Sequence, residues 1–185
     1  GVDGKSAGGT PYTIPATPGK KLIAPVSIDI TTSAPDWSLE PNWYVYQGTL
    51  RGRNSASAVS VMSAVSPTIH LGAGNPGLRY VWGMRKSSNG DRAFRPDTLY
   101  LDLLVQGDTI FRTLATNARI IDSTDQVIDL SPYSGKDIVL RWRYVCEFTD
   151  VVASAGYERN FVKIWNVAIT GSPGTNARKS IPCVR

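Results

Sequence analysis

The chain has 185 residues, 42% hydrophobic and 19% charged, values of one globular domain rather than of a disordered chain. Its net charge of +5 is spread without a run of Lys or Arg. That permits an anionic partner, but it lacks the basic stripe or motif of a nucleic-acid reader, so no nucleic acid is expected. No stretch approaches roughly 18 consecutive apolar residues, so no transmembrane segment is read.

Residues 1–20 (GVDGKSAGGTPYTIPATPGK) are Gly-, Pro-, Thr- and Ala-rich without periodicity. They read as a flexible leader or linker ahead of a single domain over 21–185. No signal peptide is visible. KLIAPVSIDI (21–30) reads as a first strand interrupted by Pro25, hence at an edge or bulged. NWYVYQGTL (42–50) is aromatic and β-prone, with Trp43, Tyr44 and Tyr46 together on one strand. The small polar stretch 51–68 is read as a long loop in preference to a short helix near 56–65.

GLRYVWGMR (77–85) alternates, placing Leu78, Tyr80, Trp82 and Met84 on one face. KSSNGDRAFRP (86–96) is a basic turn-rich loop around Asn89-Gly90. DTLYLDLLV (97–105) and TIFRTLA (109–115) flank QGD and predict a hairpin. DLSPYSGKDIVLRWRY (129–144) couples a Pro- and Gly-bearing turn to a period-two strand. Ile138, Leu140, Trp142 and Tyr144 face one way; Val139, Arg141 and Arg143 face the other, toward solvent or a groove. NFVKIWNVAITG (160–171) is the last long strand. Eight or nine strands with turn signals between them, and no convincing helix, predict an all-β fold: a two-sheet antiparallel β-sandwich of jelly-roll type.

The block Asp129-Leu130-Ser131, Tyr133, Gly135-Lys136, then Leu140-Arg141-Trp142-Arg143-Tyr144, followed by Ile164, Asn166, Val167 and Ile169, resembles the C-terminal half of MAM-like and galactose-binding-like jelly rolls of secreted bacterial proteins. Trp165 stands where that pattern usually has Asp. The resemblance implies a non-catalytic carbohydrate-binding or cell-surface attachment module, secreted or on the cell surface. It implies a structural Ca²⁺ as an option, although the chain lacks a dense Asp/Asn/Gly loop, and otherwise no cofactor. A structural assembly protein of a virion, fibre or surface layer is the alternative, and it would make a homo-oligomer. A jelly-roll polysaccharide lyase is the remaining one.

Sugar C–H faces stack on aromatic rings while charged and amide groups bond hydroxyls. The candidate glycan site is therefore Tyr80, Trp82, Arg85, Asn89, Asp91 and Arg92, joined by Trp43 and Tyr46. Residues 85–95 carry a charge excess that suits an acidic glycan. The competing reading places Tyr80 and Trp82 in the core with Leu78 and Met84. Catalysis has little support. His70 is the one histidine, no Gly-x-Ser-x-Gly motif occurs, and Asp122, Asp125 and Asp129 read as turn carboxylates. A lyase would need His70, Arg141, Arg143 and a Tyr in one groove. Cys146 continues the apolar face of its strand; it is either a buried thiol or tied to Cys183 by a disulfide.

Overall fold

The computed structural model describes residues 21–28, 30, 36–53, 60–85, 97–119, 121–146 and 161–171. Residues 1–20, the 86–96 loop and Cys183 lie outside the described residues. Among the described residues thirteen strand segments form two facing sheets. The first sheet contains β1 (Leu22–Ile23), β3 (Ser38–Leu39), β6 (Ser60–Val65), β7 (Ile69–His70), β9 (Thr98–Val105), β10 (Arg112–Asn117) and β12 (Asp137–Cys146). The second contains β2 (Val26–Ser27), β4 (Trp43–Tyr46), β5 (Thr49–Arg53), β8 (Gly77–Arg85), β11 (Ile121–Asp129) and β13 (Phe161–Thr170). Among the described residues every ladder is antiparallel except β1–β7. The architecture is the expected all-β jelly-roll sandwich.

The core lies between the sheets and follows the alternation of the sequence. Leu78, Tyr80, Trp82 and Met84 of β8 meet Ile138, Leu140, Trp142 and Tyr144 of β12, all with no exposed surface. Tyr80 sets its ring edge-on to Trp142 at 5.5 Å, and Trp37 lies 5.5 Å from Trp142 on another side. Period-two patterning gives each strand one apolar face, and the two faces close on each other.

Four stretches depart from the expectation. The β-prone stretch 42–50 turns within itself, because Gln47 (φ 47°) and Gly48 (φ 70°) make the two-residue turn that right-twisted strands favour, and the returning strand runs on through 51–53, read as loop. Glutamine at the first position hides that signal. Residues 60–65, read as loop, are β6, paired along β12 from Val65–Arg141 to Ser60–Cys146. Tertiary pairing overrides the weak propensity of a Ser- and Ala-rich segment. At Pro25 the chain leaves one sheet, through β1, and enters the other, through β2. The hairpin across QGD forms, but its second strand begins at Arg112, so residues 106–111 are a loop.

In β13 the buried positions run Val162, Ile164, then Val167 and Ile169. That change of parity requires one extra residue, and the register shift between Trp165 and Ala168 supplies it, with Asn166 at φ 52°. Asn is among the residues that tolerate the left-handed region. A second close approach lies at Gly83. A Cβ there would stand 2.2 Å from the Asp122 carbonyl oxygen and 2.9 Å from Lys163 Cε. Gly83→Ala forces backbone of β11 to move and is expected to cost about 1–3 kcal/mol, read by urea denaturation.

Candidate functional site

The residues expected to bind a ligand through their rings separate by face. Tyr80 and Trp82 have no exposed surface and Trp43 is 5% exposed, so all three belong to the core and present no ring to a ligand. The reason is register: Trp43 pairs with Gly52 and lays its ring over that glycine, while Tyr80 and Trp82 project into the sandwich. Tyr46 points outward and is 48% exposed. Arg85 ends β8; Asn89, Asp91 and Arg92 fall outside the described residues. The eight residues therefore do not come together as a site among the described residues.

A different constellation sits on the outer face of the first sheet. Its floor follows from the ladders: Asp102 of β9 lies opposite Arg141 of β12, and Tyr100 opposite Arg143. Thr113 of β10 flanks Asp102, and Val65 and Ser63 of β6 flank the two arginines. Asp102 is 1% exposed, yet it accepts from both guanidiniums. Arg141 Nε lies 3.0 Å and Arg143 Nε 2.8 Å from Oδ2, while Arg143 Nη2 and the Thr113 hydroxyl reach Oδ1 at 3.2 and 2.7 Å. Burial alone would raise the Asp102 pKa. The bonds from Arg143 and Thr113 and the charges of Arg143 and Arg141 outweigh it and hold the carboxyl below its usual range.

Rings complete the arrangement. The Arg141 guanidinium stands 3.8 Å over Phe111, and that of Arg143 stands 4.2 Å over Tyr100. Phe111, in the loop before β10, also packs on Val65, Leu104 and Val139, an apolar cluster on this outer face. The arginine side chains are consequently only 15% and 12% exposed. The patch holds fixed planar donors walled by the two rings. Asp102 was missed in the sequence because TLYLDLLV reads as an apolar run. The usable signal was its parity, which puts it on the face away from Leu101 and Leu103.

His70 occupies the same outer face but another place. Its Nδ1 lies 2.7 Å from Asp137 Oδ1, and Lys21 bonds the same carboxylate. Burial pushes the Asp137 carboxyl up, and Lys21 and His70 bring it below its usual value. Arg141 stands four residues further along β12, about 13 Å away by strand rise. Arg141, Arg143 and Tyr100 meet; His70 does not join them. Asp122, Asp125 and Asp129 all lie in β11, where Asp125 reaches Arg79 at 3.4 Å and Asp129 accepts from the Ser131 amide at 2.9 Å. Cys146 is fully buried at the end of β12's inner face. Among the described residues no group of three His, Cys, Asp or Glu is placed to hold a metal. No helix among them is long and apolar enough to cross a membrane.

No protein-family model matches the chain, and no curated protein sequence matches it. Solved structures do. The K3 cleaved adhesin domain of Lys-gingipain from Porphyromonas gingivalis W83 superposes with a TM-score of 0.56 at 12% identity, over 80% of this chain and 98% of that one. TmCBM61, solved in complex with β-1,4-galactotriose, superposes with a TM-score of 0.52 at 8% identity, over 77% and 92%. At these identities the likeness is one of fold, and the fold it supports is the jelly-roll sandwich.

Proposed function

We propose that the chain is a non-catalytic glycan-binding module of the MAM-like, galactose-binding-like kind, serving attachment outside the cell, and that its ligand lies on the patch over Asp102, Arg141 and Arg143. One observation carries the reading: two guanidiniums are locked by a buried carboxylate between the Tyr100 and Phe111 rings. Each guanidinium has five N–H donors in a fixed fork, and Asp102 takes only part of each set. The remaining donors suit sugar hydroxyls, and the ring faces not covered by a guanidinium suit sugar C–H groups. Because Asp102 fixes the side chains in advance, little rotamer entropy is lost on binding. The galactotriose bound by a module of the same fold, and the adhesin origin of another, favour this reading.

The reading needs no catalytic group. His70 is held by Asp137 and stands apart from the arginines. The test is a glycan array of the wild type, followed by titration calorimetry with Tyr100→Ala and Arg143→Gln. Loss of a ring contact or of a hydroxyl donor is expected to weaken binding about tenfold or more, about 1.4 kcal/mol. Circular dichroism must show that both variants stay folded. A wild type that binds no glycan, or folded variants that bind as it does, would sink the proposal.

A further inference from the structure

The outer face of the first sheet continues past the two arginines. β6 lies on the other side of β12 from β9, with Ser63 opposite Arg143 and Val65 opposite Arg141. β3 follows β6, with Ser38 opposite Val65 and Leu39 opposite Ala64. Ala64 has no exposed surface and Leu39 packs on the core, so period two turns Ser63 and Val65 outward with the arginines. Glu40, one step past β3, takes the place beside Ser63. Its amide donates to the Ser63 carbonyl at 3.0 Å, and its Oε2 accepts from the Ser63 amide at 2.6 Å. One row across the sheet therefore reads Tyr100, Arg143, Ser63, Glu40: a ring, a donor, a hydroxyl and an exposed acceptor. From Arg143 to Glu40 it spans two strand spacings, about 10 Å.

Two guanidiniums on this face stand against two carboxylates, Asp102 between them and Glu40 at the end of the row. The charge of Glu40 reaches the pair. Burial lowers the Arg141 pKa, and Asp102 and Glu40 both act against that lowering. The Glu40 carboxylate is also placed by the backbone: the Ser63 amide holds one oxygen, and a carboxylate has about four lone-pair sites in all. A sugar hydroxyl both donates and accepts. Guanidiniums only donate, so Glu40 supplies what they lack. A ligand carboxylate or sulfate would meet the like charge of Glu40 and would compete with Asp102 for the arginines. Specificity of this kind is set by the repulsive element as much as by the attractive one.

We propose that Glu40 is a specificity-determining residue of the patch, and that the ligand is an uncharged oligosaccharide laid across β9, β12 and β6 from the arginines to Glu40. The inference rests on the patch being the glycan site. The separation of donors and acceptor calls for a chain of sugars rather than a single ring.

Titration calorimetry tests it with β-1,4-galactotriose, cellotriose and mannotriose, the matching monosaccharides, and the same three trisaccharides oxidised at C6 to uronates. The wild type should bind at least one uncharged trisaccharide, at least about tenfold more tightly than its monosaccharide and than its uronate form. Glu40→Gln keeps the shape and an oxygen for the Ser63 amide, but turns the outward acceptor into a donor. It should weaken the uncharged trisaccharide about tenfold and strengthen the uronate, with thermal unfolding unchanged. A purely structural role for Glu40 would weaken both ligands alike, and that result overturns the inference. So does a folded Glu40→Gln that binds both ligands as the wild type does. A wild type that prefers the uronate, or that binds a monosaccharide as tightly as the trisaccharide, overturns it without recourse to any variant. Each of these outcomes leaves the patch standing as a glycan site. A wild type that binds none of the three uncharged trisaccharides overturns the inference too, and the glycan array then decides whether the patch reading falls with it.

Discussion

Trp82→Ala is expected to destabilise the fold by about 3–5 kcal/mol, the range for emptying a large aromatic site in a packed core. The side chain has no exposed surface and lies between Thr124 of β11 and Ile164 of β13 in the ladder order. Arg119 caps its ring at 5.9 Å. Neighbours on three strands cannot collapse into the void without breaking ladders, which places the cost at the upper part of the range. Domains of this kind have only about 5–15 kcal/mol in total. The variant therefore stands close to its unfolding midpoint, and a ligand assay on it would report unfolding. Urea denaturation followed by near-UV circular dichroism measures the change. A loss below about 1 kcal/mol would contradict the placement of Trp82 in the core. Trp82→Phe, which keeps most of the ring volume, is expected to lose much less.

The long strands were legible because their faces alternate cleanly. Leu78 to Met84 and Ile138 to Tyr144 each mark an inner face, and the outward pair Arg141 and Arg143 could be assigned before any coordinates. What alternation cannot give is the partner across a ladder. Asp102 lies 39 residues before Arg141 in sequence, and only the β9–β12 register brings them together. For the same reason Tyr80 and Trp82 drew attention as ring platforms. An aromatic on a strand looks alike whether its face meets the other sheet or water, and Leu78 and Met84 were the deciding neighbours. Trp43 was grouped with Tyr46, although three positions along a strand put them on opposite faces. The strands that escaped notice depend on context: β6 on pairing with β12, and the β4–β5 turn on Gln47 accepting a positive φ.

The second large effect is expected at Asp102. Asp102→Asn removes the negative charge that two guanidiniums share. Arg141 already feels its burial, which lowers its pKa against the opposing pull of Asp102, and the charge of Arg143 lowers it further. Without the carboxylate the two cations face each other with little water to screen them. Breaking a buried pair in this way costs about 3–5 kcal/mol. The sign of the pH dependence follows from the carboxyl. Its folded pKa lies below the unfolded value of about 3.9. The stabilisation is therefore complete above that unfolded value and is lost as pH falls through the folded one. The wild type should weaken in acid below about pH 4, and Asp102→Asn should show a shallower slope there. Replacing the whole network separates its two roles. In Asp102→Leu/Arg141→Met/Arg143→Met no buried charge is left unpaired, so stability should return to within about 1–2 kcal/mol of the wild type or exceed it. Glycan binding on the patch should be lost all the same. A folded triple variant that still bound its glycan would show that the network serves the sheet alone, and that the ligand is held elsewhere.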